Sequence, residues 1–291
     1  MTDFLQLTVT ALSLGATYAL TALGFVLVLN ATNAVNFAQG ELVVAGGFLA
    51  VAIAPLLPVP GIVLLPIVAV ATGLLGLVLS AVAYFPLRAR PPTAVFISTI
   101  AVGIVIQNAV LRLAGPEPGT APPLFAAGAV AVGDAVVGRQ SLATIFAAAV
   151  LVLLVHILMD RTQAGRRLRA TAQDPEIARA LGIPVVPLIA ASFALGAALA
   201  GTAGLLVANQ FFLAPADGAN YMLKAYIAVV IGGWGRIGGA VLGGLVIALF
   251  ESYVAALVSQ LAAEALLYVA LLAILAFRPT GILGETVGRR A

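Results

Sequence analysis

Apolar positions along this chain fall into long unbroken runs: Phe4–Leu29, Leu42–Leu57, Ile62–Phe85, Ala94–Leu113, Leu142–Met159, Leu188–Ala208, Ile237–Val258 and Ala262–Phe277. A helix needs roughly 20 such residues to cross the hydrocarbon of a bilayer, within a range of about 17–25. A ninth run, Tyr221–Ile231, is too short for an ordinary crossing. Turn-forming residues punctuate the runs: Pro58-Val59-Pro60-Gly61, Pro86, Pro91-Pro92, Pro116, Pro122-Pro123, Pro184 and Pro215. Barrel strands would alternate polar and apolar at every second position, and these runs do not. The pattern predicts an all-α polytopic membrane protein, one domain over residues 1–291 built as a bundle of about 8–9 transmembrane helices.

Composition agrees. Charged residues make up 9% of the 291 and hydrophobic ones 63%, whereas a soluble domain carries roughly 25% charge. The chain has no cysteine and one histidine, His156, which excludes disulfides, iron–sulfur clusters and thiolate or histidine-built metal centres, so neither a metal nor a cofactor is expected. The net charge of +3 comes from arginines scattered between apolar runs. In a membrane protein that pattern sets topology rather than nucleic-acid binding. The start, Met1-Thr2-Asp3, lacks the positive region of a cleavable signal peptide, so the first run is expected to stay in the mature protein. A phosphate-binding loop needs a lysine after its glycines. The only lysine, Lys224, follows Tyr221-Met222-Leu223, and no catalytic triad signature is present.

Arg161, Arg166, Arg167, Arg169 and Arg179 share one loop, which the positive-inside rule assigns to the cytoplasm. Threading outward puts Arg88, Arg90, Arg236, Arg278, Arg289 and Arg290 on the same side, provided Tyr221–Ile231 completes a crossing of its own. The expected topology is an outside N-terminus, a cytoplasmic C-terminus and a short or broken seventh crossing. Two loops are long enough for structure of their own. The outer loop, 115–140, is rich in Pro, Gly and Ala, and a small external element is expected there. The inner one, 160–187, carries helix grammar: Asp174 as N-cap, Pro175 at the first position, Glu176 in the first turn and Gly182 past the end.

Several polar features stand out from the apolar background. The stretch Asn30 to Glu41 holds Asn36, Gln39 and Glu41 with no basic residue. It reads either as a solvated turn or as broken backbone inside the bundle, where polar backbone is tolerated only if buried or lining a cavity. Gln107 and Asn108, inside the fourth run, suit a pathway or interhelical hydrogen bonds. Gly235, Gly239 and Gly243 recur every fourth residue, as do Gly196, Ala200, Gly204 and Ala208, and each stripe predicts close helix packing. A polar or glycine-broken element in each half points to two related halves with broken helices. Glu251, inside a run, reads either as a functional carboxylate or as a partner of Lys224 or Arg236, while Glu264 is expected to sit at the outer interface and His156 to be an interfacial or packed ring.

These motifs, in order from about residue 10 to 284, resemble the permeases of branched-chain amino acid ABC transporters. The resemblance is carried by Gly15-Ala16-Thr17-Tyr18-Ala19-Leu20-Thr21-Ala22-Leu23-Gly24 and by Asn36-Phe37-Ala38-Gln39-Gly40-Glu41, where the family usually has histidine at the position of Gln39. Further stretches are Gly165-Arg166-Arg167-Leu168-Arg169-Ala170, Ala200-Gly201-Thr202-Ala203-Gly204, Gly232-Gly233-Trp234-Gly235-Arg236-Ile237-Gly238-Gly239-Ala240 and Phe277-Arg278-Pro279-Thr280-Gly281. Length and the short N-terminus are similar to the smaller, H-type permease of leucine–isoleucine–valine systems. The resemblance implies a bacterial inner-membrane permease that pairs with a second, homologous permease, two ATP-binding subunits and a periplasmic solute-binding protein that delivers the amino acid. It also implies that the segment Asp174, Glu176, Ala178, Arg179, Leu181 and Gly182 docks on the ATPase. Permeases for urea and short amides are similar at these motifs, and an ion-coupled secondary transporter or channel is the remaining alternative. Asn36, Gln39, Glu41, Gln107 and Asn108 are the candidate path residues.

Overall fold

In the computed structural model of the chain, the structure describes residues 2–57, 59–125, 128–132, 135–278 and 281. Pro58, Pro279, Thr280, Arg289 and Arg290 therefore lie outside the described residues. The helices are α1 (Thr2–Thr32), α2 (Gln39–Ile53), α3 (Gly61–Leu79), α4 (Pro92–Ala114), α5 (Arg139–Arg161), α6 (Gln163–Gln173), α7 (Pro175–Ala180), α8 (Val185–Ala208), α9 (Gly218–Gly232), α10 (Ile237–Leu257) and α11 (Gln260–Phe277). Seven of them are long and apolar enough to cross a membrane: α1, α3 with its continuation to Leu87, α4, α5, α8, α10 and α11. Together with the two fifteen-residue helices α2 and α9, they account for the nine apolar runs, and the molecule is a polytopic all-α membrane protein.

Helix ends follow from local chemistry. Proline occupies the first position of α4 and of α7, where its missing N–H is harmless. Before Pro86 the helix loosens into a π turn over Ser80–Tyr84 and a 3-10 turn over Phe85–Leu87, the expected response to a residue that cannot donate to the ladder. α1 ends at Asn33, which adopts a left-handed conformation at φ 51°, one that asparagine tolerates better than most residues.

Arg88, Arg161, Arg169 and Arg236 gather at one end of the bundle, which we call the basic end. Relative to it, α1, α3, α5 and α11 run inward and α4, α8 and α10 run outward. The directions are fixed by cross-contacts: Asn30 Nδ2 donates to the Gly235 carbonyl at 2.8 Å, and Thr8 Oγ1 lies 2.6 Å from Tyr253 Oη. α1 and α10 are therefore antiparallel. α3 and α8 are antiparallel too, with Thr72 at Gly201 and Gly76 at Phe193.

This arrangement relates the halves of the chain. The series α1, α2, α3, α4 is long, short, long, long, and so is α8, α9, α10, α11, with every direction reversed. α1 packs on α10 as α8 packs on α3, and the two long leading helices cross where Gly24 faces Gly196. Such an inverted repeat matches the two related halves expected from the sequence. α1 and the second half of α8 form the buried centre, with Leu20, Leu23, Phe25, Phe193, Leu205 and Leu206 fully enclosed. α3, α5 and α11 turn apolar side chains such as Val70, Phe146 and Leu272 outward, as lipid-facing helices must.

At the end opposite the basic one, the expected small element is a two-stranded antiparallel hairpin, β1 (Ala129–Val132) and β2 (Ala135–Gly138). The chain before it pairs with the stretch after α8: Gly119 and Leu213 exchange backbone hydrogen bonds at 2.9 and 3.1 Å, and Ala121 N donates to Ala208 O at 2.8 Å. Gln210 fastens the same region, donating to Thr144 Oγ1 at 2.6 Å and accepting from Ser13 Oγ at 2.8 Å.

Candidate translocation site

The sequence reads Leu42–Leu57 as a crossing, but α2 begins within the bundle. Gln39 Nε2 donates to the Gly196 carbonyl at 3.0 Å and reaches the Thr21 carbonyl at 3.5 Å. Gly196 is about 16 Å along α8 from its first residue, half-way through the bundle. The chain therefore leaves α1 at the basic end, climbs back through residues 33–38 and starts α2 at mid-depth. α9 does the reverse. Residues 209–217 descend from the opposite end, and α9 starts beside the beginning of α2. A Cβ on Gly40 would strike the Gly218 carbonyl, and one on Gly218 would fall on the Glu41 carboxylate. Both positions require glycine because two helix starts meet there.

Apart from Asn33 and Thr32, which flank it, the polar stretch after α1 is enclosed rather than solvated. Asn36 and Gln39 are buried, and their bonds stay within the protein. Asn36 Oδ1 accepts from Ala38 N at 3.2 Å, Asn36 Nδ2 donates to Gln39 Oε1 at 3.3 Å, and Phe37 N donates to Thr99 Oγ1 at 3.2 Å. Irregular backbone at membrane depth is thus satisfied internally, as the hydrocarbon demands. Gly24 makes this possible, since a Cβ there would collide with the Gln39 amide. Thr99 was not singled out by the sequence, because a lone threonine in an apolar run carries no signal of its partner.

Glu41 differs from its neighbours. It sits in the first turn of α2, where the helix dipole favours a negative charge, and its carboxylate also lies on the first residue of α9. Its buried Oε2 has no hydrogen-bond partner among the described residues. It faces a cavity of about 390 Å³ between α2, α4 and α9, lined also by Phe37, Gly103, Gln107, Met222 and Tyr226. Gln107 is thus brought to Glu41, while Asn108 lies on the exposed side of α4 and bonds its own helix at the Ile104 carbonyl, 2.8 Å away. Of the five candidate path residues, Glu41 and Gln107 line the cavity, Asn36 and Gln39 hold its framework, and Asn108 faces outward.

The packing glycines are where backbones nearly touch, with one correction. A Cβ at Gly239 would land on the Gly232 carbonyl, at Gly243 on Ala228, at Gly204 on the Val43 carbonyl and at Gly196 on Gly24. Gly235 does not belong to that stripe. α10 starts at Ile237, and Gly235 precedes it with φ +77° in the turn that follows α9. The four-residue spacing was fortuitous there, and a left-handed turn explains the glycine. Buried Glu251 and partly buried Lys224 pair at 2.7 Å, while His156 is exposed beside Asp160 at 3.1 Å.

At the basic end, Asp174 caps α7 as its sequence predicts, Oδ1 accepting from Glu176 N and Ile177 N, both at 2.9 Å. Gly182 takes φ +79° just past the end. Leu181 is 75% exposed and Ile177 60% exposed, whereas Ala178 is turned into the bundle. Ile177 is therefore part of the outward face, and its spacing of four from Leu181 was the available signal. α6 precedes it, capped by Thr162, whose Oγ1 accepts from Gly165 N at 3.1 Å. Arg169 Nη1 anchors α6 to the Met159 carbonyl and to Asp160 at 3.2 Å.

Comparison with known proteins places this architecture. The chain is 33% identical to the high-affinity branched-chain amino acid transport system permease protein BraD of Pseudomonas aeruginosa, over 97% of this chain and 96% of that protein. It is 34% identical to the permease protein LivH of Escherichia coli, named for the same type of system, again over 97% and 96%. Among solved structures, PsaBC from Streptococcus pneumoniae in complex with Fab has the same fold, with a TM-score of 0.51 and 15% identity over 94% of this chain and 90% of that one. Residues 7–276 match the family described as branched-chain amino acid transport system / permease component, and the chain belongs to that family.

Proposed function

We propose that this chain is a permease subunit of an ATP-driven importer in a bacterial inner membrane, forming the path for branched-chain amino acids delivered by a periplasmic binding protein. The observation that carries the reading is the mid-depth meeting of α2 and α9 around Glu41, beside a cavity lined by α2, α4 and α9. Interrupted helices of this kind mark substrate paths. The near-full-length likeness to BraD and LivH supplies the substrate class, because those proteins are named for branched-chain amino acids.

The partners are those the family likeness implies. ATP is hydrolysed on two separate subunits docked at the basic end through α7, a division of labour compatible with the missing lysine-bearing phosphate loop of this chain. A second, homologous permease completes the path. The arginines at the basic end orient it to the cytoplasm, with the N-terminus outside and the C-terminus inside. Closure of the ATPases moves α6 and α7 as a unit and shifts the bundle between two packed states, outward-open and inward-open.

The test is to isolate the tagged chain from its native membrane in mild detergent and identify its companions. Two ATPase chains and a second permease are expected, and the cognate binding protein should take leucine and valine in titration. Binding of urea instead would move the substrate to short amides. A chain that comes out alone and transports in liposomes without ATP would overturn the importer reading.

A further inference from the structure

We propose that the cavity beside Glu41 is a binding site for the substrate during transit, in which the Glu41 carboxylate receives the α-ammonium group of an aliphatic amino acid. The proposal rests on the importer reading and adds the residue and the chemistry. A carboxylate held in a membrane-embedded bundle normally has a counter-charge or hydrogen-bond donors, because leaving it bare is expensive. The buried Oε2 of Glu41 has neither among the described residues. The one lysine at this depth is engaged elsewhere, with Nζ at 2.7 Å from Glu251 and 2.8 Å from Tyr18 Oη.

The rest of the cavity defines what cation would fit. Its volume, about 390 Å³, lies in the range of roughly 300–1,000 Å³ typical of small-molecule sites. The other large lining residues are mostly apolar, Phe37, Ile100, Ile104, Met222 and Leu223, with Gln107 and Tyr226 as further polar groups. A bare metal ion or ammonium would leave those walls empty, and a free hydrocarbon would leave Glu41 uncompensated. A small molecule with an ammonium group and a branched apolar tail satisfies both. The cavity's lining residues Ile100, Ile104 and Leu223 are exposed, and the second permease would cover them.

The test uses the complete importer in proteoliposomes with its binding protein. Glu41→Gln keeps the shape and removes the charge, and Glu41→Asp keeps the charge. Leucine turnover should fall at least about tenfold in E41Q, the scale of one lost charge-assisted contact, and should recover in part in E41D. Because the chain has no native cysteine, Ile104→Cys gives it a single thiol on the cavity wall, and labelling by a small neutral thiol reagent reports occupancy. Leucine should slow its labelling, and 4-methylpentanoate, which has the same tail but no ammonium, should not. Equal protection by the two compounds would overturn the proposal, as would wild-type leucine turnover in E41Q, or a basic side chain of the second permease found seated on Glu41. If E41Q does not assemble, the labelling pair decides; if Ile104→Cys is inactive, E41Q against E41D decides. Failure of the unaltered complex to import any branched-chain amino acid would instead remove the importer reading beneath it.

Discussion

Lys224 and Glu251 meet at 2.7 Å inside the bundle, joining α9 to α10. Tyr18 Oη accepts from Lys224 at 2.8 Å and donates to Glu251 Oε2 at 3.1 Å, and Gln260 Nε2 donates to Glu251 Oε1 at 3.1 Å. One ion pair thus connects α1, α9, α10 and α11. α9 is a fifteen-residue helix that starts at mid-depth and packs against α1, α2 and α10. The pair fixes it to its neighbours.

Removing Lys224 leaves Glu251 charged and buried, a loss that typically costs about 3–5 kcal/mol. Removing Glu251 strands a partly buried ammonium at a smaller cost, and removing both is far milder. Lys224→Met and Glu251→Gln should each lower the melting temperature of the detergent-solubilised chain. The double variant should lose less than the sum of the two. The check is a double-mutant cycle on thermal melting followed by size-exclusion recovery. Additive losses would mean that the pair does not hold α9.

The glycine contacts predict a sharp difference between neighbouring positions. Gly239→Ala places a methyl against the Gly232 carbonyl, whereas a Cβ at Gly238 meets no atom within 4 Å. Overpacking of this sort costs about 1–3 kcal/mol. Gly239→Ala should reduce stability, Gly239→Leu should abolish well-folded material, and Gly238→Ala should match the parent. Equal yields and melting curves for all three would show that the α9–α10 approach is looser than the geometry states.

Docking at the basic end is expected to depend on two exposed apolar residues, Ile177 within α7 and Leu181 just past its end. Leu181→Asp and Ile177→Asp should insert normally and keep their melting temperature, because both side chains are exposed. In the assembled importer they should uncouple ATP hydrolysis from uptake, lowering leucine transported per ATP by about tenfold, the effect of one lost apolar anchor. Ala178→Arg should behave differently and lower stability, since Ala178 is only 2% exposed. The comparison of uptake with phosphate release in proteoliposomes decides it. Full coupling in both aspartate variants would remove α7 as the contact.

Much of this was legible in the sequence for physical reasons. A helix that crosses lipid needs a long apolar run, so the spans could be read directly, and Asp174, Pro175 and Gly182 marked both ends of α7. Depth was not legible. Hydropathy records that residues 42–57 are apolar, but the point where α2 starts is set by carbonyls of Thr21 and Gly196, far away in the chain. The polar stretch before it would look the same in a solvated turn. The choice of Lys224 over Arg236 as partner of Glu251 likewise depends on how α9 lies against α10. Gly235 shows the converse limit, since a periodic spacing continued by chance into a turn.

Gln39 offers the most direct test of the broken crossing. Its amide is the donor that ties the start of α2 to the middle of α8, at 3.0 Å from the Gly196 carbonyl, in a pocket that Gly24 keeps open. Leucine at this position has similar bulk and no donor, so Gln39→Leu strands the carboxamide of Asn36, its neighbour at 3.3 Å, and removes the anchor of α2. A buried polar group left unsatisfied costs about 1–3 kcal/mol, and a loosened α2 would also misplace Glu41, two residues on. Gln39→Leu should therefore lower both melting temperature and leucine uptake at matched membrane levels. Gln39→His restores an N–H donor and should recover most of both. If Gln39→Leu melts and transports like the parent, the hydrogen bond to Gly196 does not set the depth of α2, and packing at Gly40, Gly46 and Gly47 must do so alone.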